Sequence, residues 1–170
     1  RPAADEPSCV DPRRSDRRQL MDIRTVTCKE LSAEPGFSAL LQEYAEECAL
    51  DGLPVTVSKD IYYKMEESGL ITLIAAFDAD DLLGYVSVLV TVLPKYSLPV
   101  ASTESFFVAA KHRHTGAGLR LLRAAEKLAV AKGAVGMLVS APSGSRLAEV
   151  APRSGYEESN RVFFKRFSDA

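Results

Sequence analysis

The run FFVAAKHRHTGAGLRLLRAAEK, residues 106–127, is the feature that most limits how this chain can fold. It passes from an apolar stretch through a basic loop and two nearly adjacent glycines directly into a helix-spaced pattern. A strand that feeds a helix across so short a turn commits the chain to an α/β arrangement, with the helix packed back over a sheet. Gly116 and Gly118 supply what other residue types do not: positive φ at little cost, and a backbone that a ligand can approach closely. The helix that begins beside them offers unpaired N–H groups and the positive end of its dipole, a setting suited to phosphate.

Around that unit, periodicity predicts strands over 22–28, 70–78, 82–93, 99–109, 135–140 and 161–167. Helices are expected over 37–49, 59–67, 117–132 and 144–153. In the first helix Phe37, Leu40, Leu41, Tyr44 and Cys48 fall on one stripe, which leaves Glu43, Glu46 and Glu47 on the other faces. Asp78-Ala79-Asp80-Asp81 reads as a hairpin turn, and Pro94 and Pro99 bracket the next connection. A β-meander followed by strand, helix, strand implies a mixed sheet with helix 117–132 as the crossover.

At 170 residues the chain is the size of one domain, which places a domain over 21–170. Residues 1–20 hold nine charged residues and three prolines and too little apolar surface to offset ordering, so they are expected to be a disordered tail or an upstream extension. A net charge of −2 lacks the basic excess that nonspecific nucleic-acid binding needs. The longest apolar stretch, LLGYVSVLVTVLP, is shorter than the about 20 residues of a membrane helix and alternates like a strand. Cys9, Cys28 and Cys48 are odd in number and have no CxxC spacing, which argues against a disulfide framework or a zinc site and favours the reducing cytoplasm. His112 and His114 lack a third neighbouring ligand, so no metal is expected.

Two familiar phosphate loops fail on this sequence. Leu121 stands where the third glycine of GxGxxG belongs, and no GKS or GKT completes a Walker A loop. The segment Arg113-His114-Thr115-Gly116-Ala117-Gly118 instead resembles the pyrophosphate loop of the GNAT N-acetyltransferase superfamily, Arg/Gln-x-x-Gly-x-Gly/Ala. The apolar strand before it and the long helix after it match the family's context. So does the order of elements over 21–170. The loop and the terminal SGYEESNRVFFKRF also look like those of phage or prophage-encoded members.

The resemblance implies a mixed, mainly antiparallel central sheet of six to seven strands flanked by about four helices. It implies acetyl-CoA as co-substrate, with its pyrophosphate on the backbone N–H groups of His114, Thr115, Gly116, Ala117, Gly118 and Leu119. Arg113 is the better placed cationic contact. Pantetheine would run beside Phe106, Phe107 and Val108, with the Val108 N–H on the thioester oxygen. A lysine-like amine has a pKa of about 10.4 and needs a base at neutral pH. Glu104, nine residues before Arg113 on the same strand, stands where many relatives carry an acidic residue and is the candidate. The tyrosine that relatives carry near the end is Ala151 here, which removes the usual donor to the departing thiolate. Tyr156 is expected in the core, and Ser143 or Ser145 as a helix cap.

The expected function is transfer of an acetyl group from acetyl-CoA to a primary amine, on a small molecule or a protein. The acceptor side would lie near residues 44–63 and 94–100, where Tyr44, Tyr62, Tyr63 and several acids suit a cation. A homodimer is compatible with this reading; nucleic-acid and membrane partners are not expected. Two alternatives stand beside it: a non-catalytic acyl-CoA sensor, favoured by Ala151, and a partner-binding protein that uses the same fold.

Overall fold

A computed structural model describes residues 21–50 and 53–167 of the chain. The tail expected at 1–20 lies outside the described residues. Strand β1 (Asp22–Val26) leads into α1 (Cys28–Ala33), α2 (Phe37–Cys48) and α3 (Lys59–Glu67). Strands β2 (Ile71–Asp78), β3 (Asp81–Leu93) and β4 (Leu98–Val108) then form the meander. A 3₁₀ turn at Ala110–His112 connects to α4 (Ala117–Ala131), followed by β5 (Met137–Leu138) and α5 (Arg146–Arg153). The sheet runs β1-β2-β3-β4-β5, antiparallel throughout except that β5 is parallel to β4.

The mixed α/β class stands, but among the described residues the sheet has five strands rather than six or seven, and five helices rather than four are present. The expected strand over 161–167 does not form: its residues are irregular, with Val162 and Phe163 88% and 89% exposed. A strand needs a partner edge, and β5, expected over 135–140, is reduced to two residues beyond Gly133 and Gly136. The extra helix is α1. Its Thr27 side chain accepts from the Glu30 N–H at 3.1 Å, while the Glu30 carboxylate accepts from the Thr27 N–H at 2.7 Å, a capping box that stops β1.

Two apolar layers sandwich the sheet. On one face Val26, Leu31, Leu40, Leu73, Phe77, Tyr85 and Phe107 pack beneath α1–α3, together with half-buried Phe37, Tyr44, Tyr62 and Tyr63. On the other, Ile74, Val86, Val88 and Val108 pack against α4 through Ala117, Leu121, Ala125 and Ala129, spaced four apart along one helix face. Alanine at three of these four positions lets the helix lie close to the strands. Leu121 is fully buried, and each such side chain contributes about 1.5–3 kcal/mol.

Candidate active site

Three features meet at the C-terminal end of β4: a turn that opens α4, an uncovered strand edge, and a carboxylate on a bulge. The turn comes first in the argument. Gly116 holds φ of 84°, the left-handed conformation that glycine takes without strain, and α4 begins at the next residue with no side chain capping it. The Thr115 hydroxyl donates to the His112 carbonyl at 2.7 Å and accepts weakly from the Ala117 N–H at 3.3 Å. The following first-turn N–H groups, those of Gly118 and Leu119, have no carbonyl within the helix to reach, so they suit an anion. A side chain at Gly116 would stand in open space, and one at Gly118 would meet Val108 Cγ2 at 3.8 Å. Room for backbone approach is therefore present at both.

The strand edge follows from register. β4 pairs with β3 along its length, but with β5 only at Ala101 and Ser102. From Thr103 onward the two strands part, with the Ser140 N–H donating to Thr103 Oγ1 at 3.0 Å where the gap begins. The Ser105 and Ala109 N–H groups turn toward β3, and the Phe107 carbonyl faces Gly84 of that strand. Alternation then directs the main-chain groups of Phe106 and Val108 into the gap between β4 and β5. An extended chain with amide groups can add there as a strand would.

Glu104 owes its place to a bulge. Ser87 pairs with Ser105 and Val88 with Thr103, so Glu104 has no residue opposite it. Its carboxylate accepts from the Ser87 hydroxyl at 2.8 Å. Three phenols share its surroundings. Burial, with the Glu104 charge behind it, pushes Tyr44 up to about 12. Burial, then the nearness of the Glu104 carboxylate, raises Tyr62 as well, and burial raises Tyr85. All three stay protonated donors at neutral pH, grouped around one acid on the face covered by α2 and α3.

Arg113 sits in the loop as expected, but its side chain turns toward α2. It donates to both Glu47 oxygens, at 2.7 and 2.8 Å, and through Nε to the Val108 carbonyl at 3.1 Å, with its guanidinium 5.3 Å from the Phe107 ring centroid. The Glu43 carboxylate accepts from the Ala110 N–H at 3.0 Å. Glu43 and Glu47, one turn apart, thus tie α2 to the segment between β4 and α4, although both lie off the helix's apolar stripe. His114 is exposed; His112 is half-buried, with Nε2 buried and lacking a hydrogen-bond partner. Tyr156 is held away from the site, its hydroxyl donating to Glu126 at 2.9 Å. Ser145 caps α5 by accepting from the Ala148 N–H at 3.2 Å. Ala151 lies on α5 with no hydroxyl to offer.

Sequence reasoning missed Ser87, Thr103 and Ser105. They are the buried polar side chains of the described residues, and all three flank the bulge. The signal was available: a serine inside the apolar run YVSVLV has no reason to be buried unless something bonds it. Among the described residues no group of three or more His, Cys, Asp or Glu side chains is placed to hold a metal. None of their helices is long and apolar enough to cross a membrane.

Residues 36–156 match the model of the acetyltransferase (GNAT) family. No match is found among the curated proteins. Among solved structures, an aminoglycoside acetyltransferase from an uncultured soil metagenomic sample, crystallised with trehalose, superposes with a TM-score of 0.68 at 18% identity, covering 89% of this chain and 99% of that one. A ribosomal-protein-alanine N-acetyltransferase from Brucella melitensis gives 0.70 at 17% identity, over 88% and 99%. A transcriptional regulator from Bacillus halodurans gives 0.70 at 18%, over 86% and 99%. At these identities the structures share the fold with this chain.

Proposed function

Since the chain belongs to the acetyltransferase (GNAT) family, we propose that it transfers an acetyl group from acetyl-CoA to a primary amine of a small molecule or a protein, in the cytoplasm. The observation that carries this reading is the union of the uncapped, left-handed turn at Gly116 with the uncovered edge of β4 at Phe106 and Val108. One supplies N–H groups for a pyrophosphate and the other an edge for an extended amide chain, and acetyl-CoA carries both in that order. The residues fit the co-substrate: backbone N–H groups from His114 to Leu119 would hold the phosphates, and main-chain groups of Phe106 and Val108 the pantetheine. The Val108 carbonyl is already taken by Arg113, whereas its N–H is directed into the gap and would polarise the thioester oxygen.

The amine nitrogen then attacks the thioester carbon, and its proton passes to the Glu104 carboxylate, directly or through water. A C–N bond forms, the oxyanion collapses, and the C–S bond breaks to release CoA as the thiolate. With Ala151 in place of the usual tyrosine, water protonates the thiolate; a thiol of pKa about 8.5 leaves tolerably well without an acid. Tyr44 and Tyr62, close to Glu104, would border the path by which a cationic amine reaches it. Two of the structural neighbours are named as an aminoglycoside acetyltransferase and a ribosomal-protein-alanine N-acetyltransferase, which supports trying an amino sugar and a protein as acceptors.

Titration calorimetry with acetyl-CoA, followed by thiol release over a panel of amines, tests the proposal. Binding with acceptor-dependent release supports it. Binding without release on any acceptor favours a sensor, and no binding removes the co-substrate assignment.

A further inference from the structure

We infer that Ser87 is a positioning residue for the Glu104 carboxylate, holding one of its oxygens so that the other is presented to the amine. The inference rests on the acyl-transfer reading above and extends it to a residue in the interior of β3.

Ser87 is fully buried between Val86 and Val88 on a strand that is otherwise apolar at this point. A hydroxyl there costs stability unless it is bonded, and replacing it by an apolar residue would be the simpler way to fill the strand. It has three short contacts and a longer one, to the Ser105 carbonyl at 3.4 Å. Ser87 Oγ accepts from the Ser105 N–H at 2.9 Å, contacts Ser105 Oγ at 2.6 Å, and meets Glu104 Oε2 at 2.8 Å.

Counting protons fixes the directions. An ionised carboxylate only accepts, and a serine has one proton to give, so the Ser87 proton goes to Glu104 Oε2. The Ser105 hydroxyl must then donate to Ser87, because the Ser87 proton is spent. Both donors from Ser105 converge on Ser87, and Ser87 points at the carboxylate. Such an aligned chain is stronger than its separate bonds.

The bulge explains why the carboxylate needs this. Glu104 has no residue opposite it in the ladder and is exposed, so without an anchor its side chain is free to leave the site. With Oε2 held from below, Oε1 is the oxygen left to take the amine proton. Ser87 therefore touches neither substrate and acts only through Glu104.

The test is a double-mutant cycle on the full chain with acetyl-CoA and four probe amines: spermidine, an aminoglycoside, a lysine peptide and a peptide with an N-terminal alanine. Ser87→Ala is expected to lower kcat ~10–10²-fold, the weight of one hydrogen bond to a charged group, with KM for acetyl-CoA unchanged. The acidic limb of its kcat/KM profile should move to higher pH, since a carboxylate that loses a donor holds its proton more readily. In a Glu104→Gln background the same change should cost nothing further. An equal loss in both backgrounds, or an unmoved acidic limb, overturns the inference and leaves Ser87 a packing residue. Should Ser87→Ala fail to fold, Ser87→Cys, similar in volume and a weak donor, should show the same pattern at reduced size, and wild-type behaviour there overturns the inference equally. A wild-type chain silent on all four amines fails differently: it removes the acyl-transfer reading, and this inference with it.

Discussion

Replacing Gly84 by alanine should damage stability and catalysis together. Gly84 pairs with Val108 across β3 and β4, and an added Cβ would lie 2.8 Å from Val108 Cα and 2.9 Å from Val108 Cγ2, closer still to the Phe107 carbonyl oxygen. Carbon atoms pack best at about 3.5–4.0 Å, and two of these three neighbours are backbone atoms that no rotamer change can remove. The strands must spread at the very residues expected to line the thioester. Overpacking of this kind costs about 1–3 kcal/mol, occasionally more, and the backbone contacts put Gly84→Ala toward the upper end even after alanine's better strand entropy is counted. For a domain of this size each kcal/mol corresponds to about 2–4 °C, so the melting temperature should fall by roughly 6–12 °C. Because the Val108 N–H moves with its strand, turnover in the folded population should drop by ~10–10²-fold, the effect of a shift on the order of 1 Å at a reacting group. Calorimetric melting together with acceptor-dependent thiol release measures both. An alanine variant with unchanged melting temperature and turnover would refute the close approach of β4 to Gly84 and the role given to Val108.

Changing Gly116 and Gly118 to valine should weaken acetyl-CoA binding by on the order of tenfold or more in calorimetry, as charge-assisted N–H contacts are lost, and unchanged affinity in a folded variant contradicts the phosphate site. Glu104→Gln should lower turnover by ~10²–10⁴-fold with acetyl-CoA affinity intact, and raising the pH should recover part of it because more amine is already neutral; wild-type turnover across the pH range would move the base elsewhere. Stability should decline on the alkaline side. Burial, aided by Glu66, raises Cys28 from 9.0 to about 11, and burial with the Glu104 charge raises Tyr44 from 10.0 to about 12. The folded chain thus keeps protons that the unfolded chain releases, so their stabilisation is complete below about pH 9 and is lost as pH rises to about 12. Melting temperatures across that range should fall, less steeply for Tyr44→Phe, and a flat profile would contradict the burial of these groups.

Much of this architecture could be read from residue order. The unit from Phe106 to Lys127 carries its own instructions: alternating apolar residues for β4, glycine at the one position with positive φ, and alanines and leucine four apart to seat α4 on the sheet. Helix α3 and the meander were likewise marked by periodicity and turn residues. The differences arise where a segment depends on something distant. RVFFKRF has the alternation of a strand, yet no edge long enough to pair with it is formed by β5. Thr27 and Glu30 end β1 through a local box, which outweighs the apolar pattern that favoured extending the strand. At the site, the glycine turn was legible because its backbone chemistry is written in consecutive residues, whereas Glu104 was singled out only by the family resemblance. Ser87 and Ser105 were not, because their meaning appears only when a bulge brings two strands into one register. Nothing local shows that Glu47, off the apolar stripe of α2, would be reached by Arg113, distant in sequence.

The account's central claim is tested most directly by incubating the full chain with acetyl-CoA and the amine panel and following both thiol release and the mass of each amine. The account predicts that at least one amine becomes heavier by one acetyl group in step with thiol release, and that Glu104→Gln slows both while acetyl-CoA still binds. A chain that binds acetyl-CoA but acetylates nothing, or one whose acetylation is indifferent to Glu104→Gln at every pH, would contradict it.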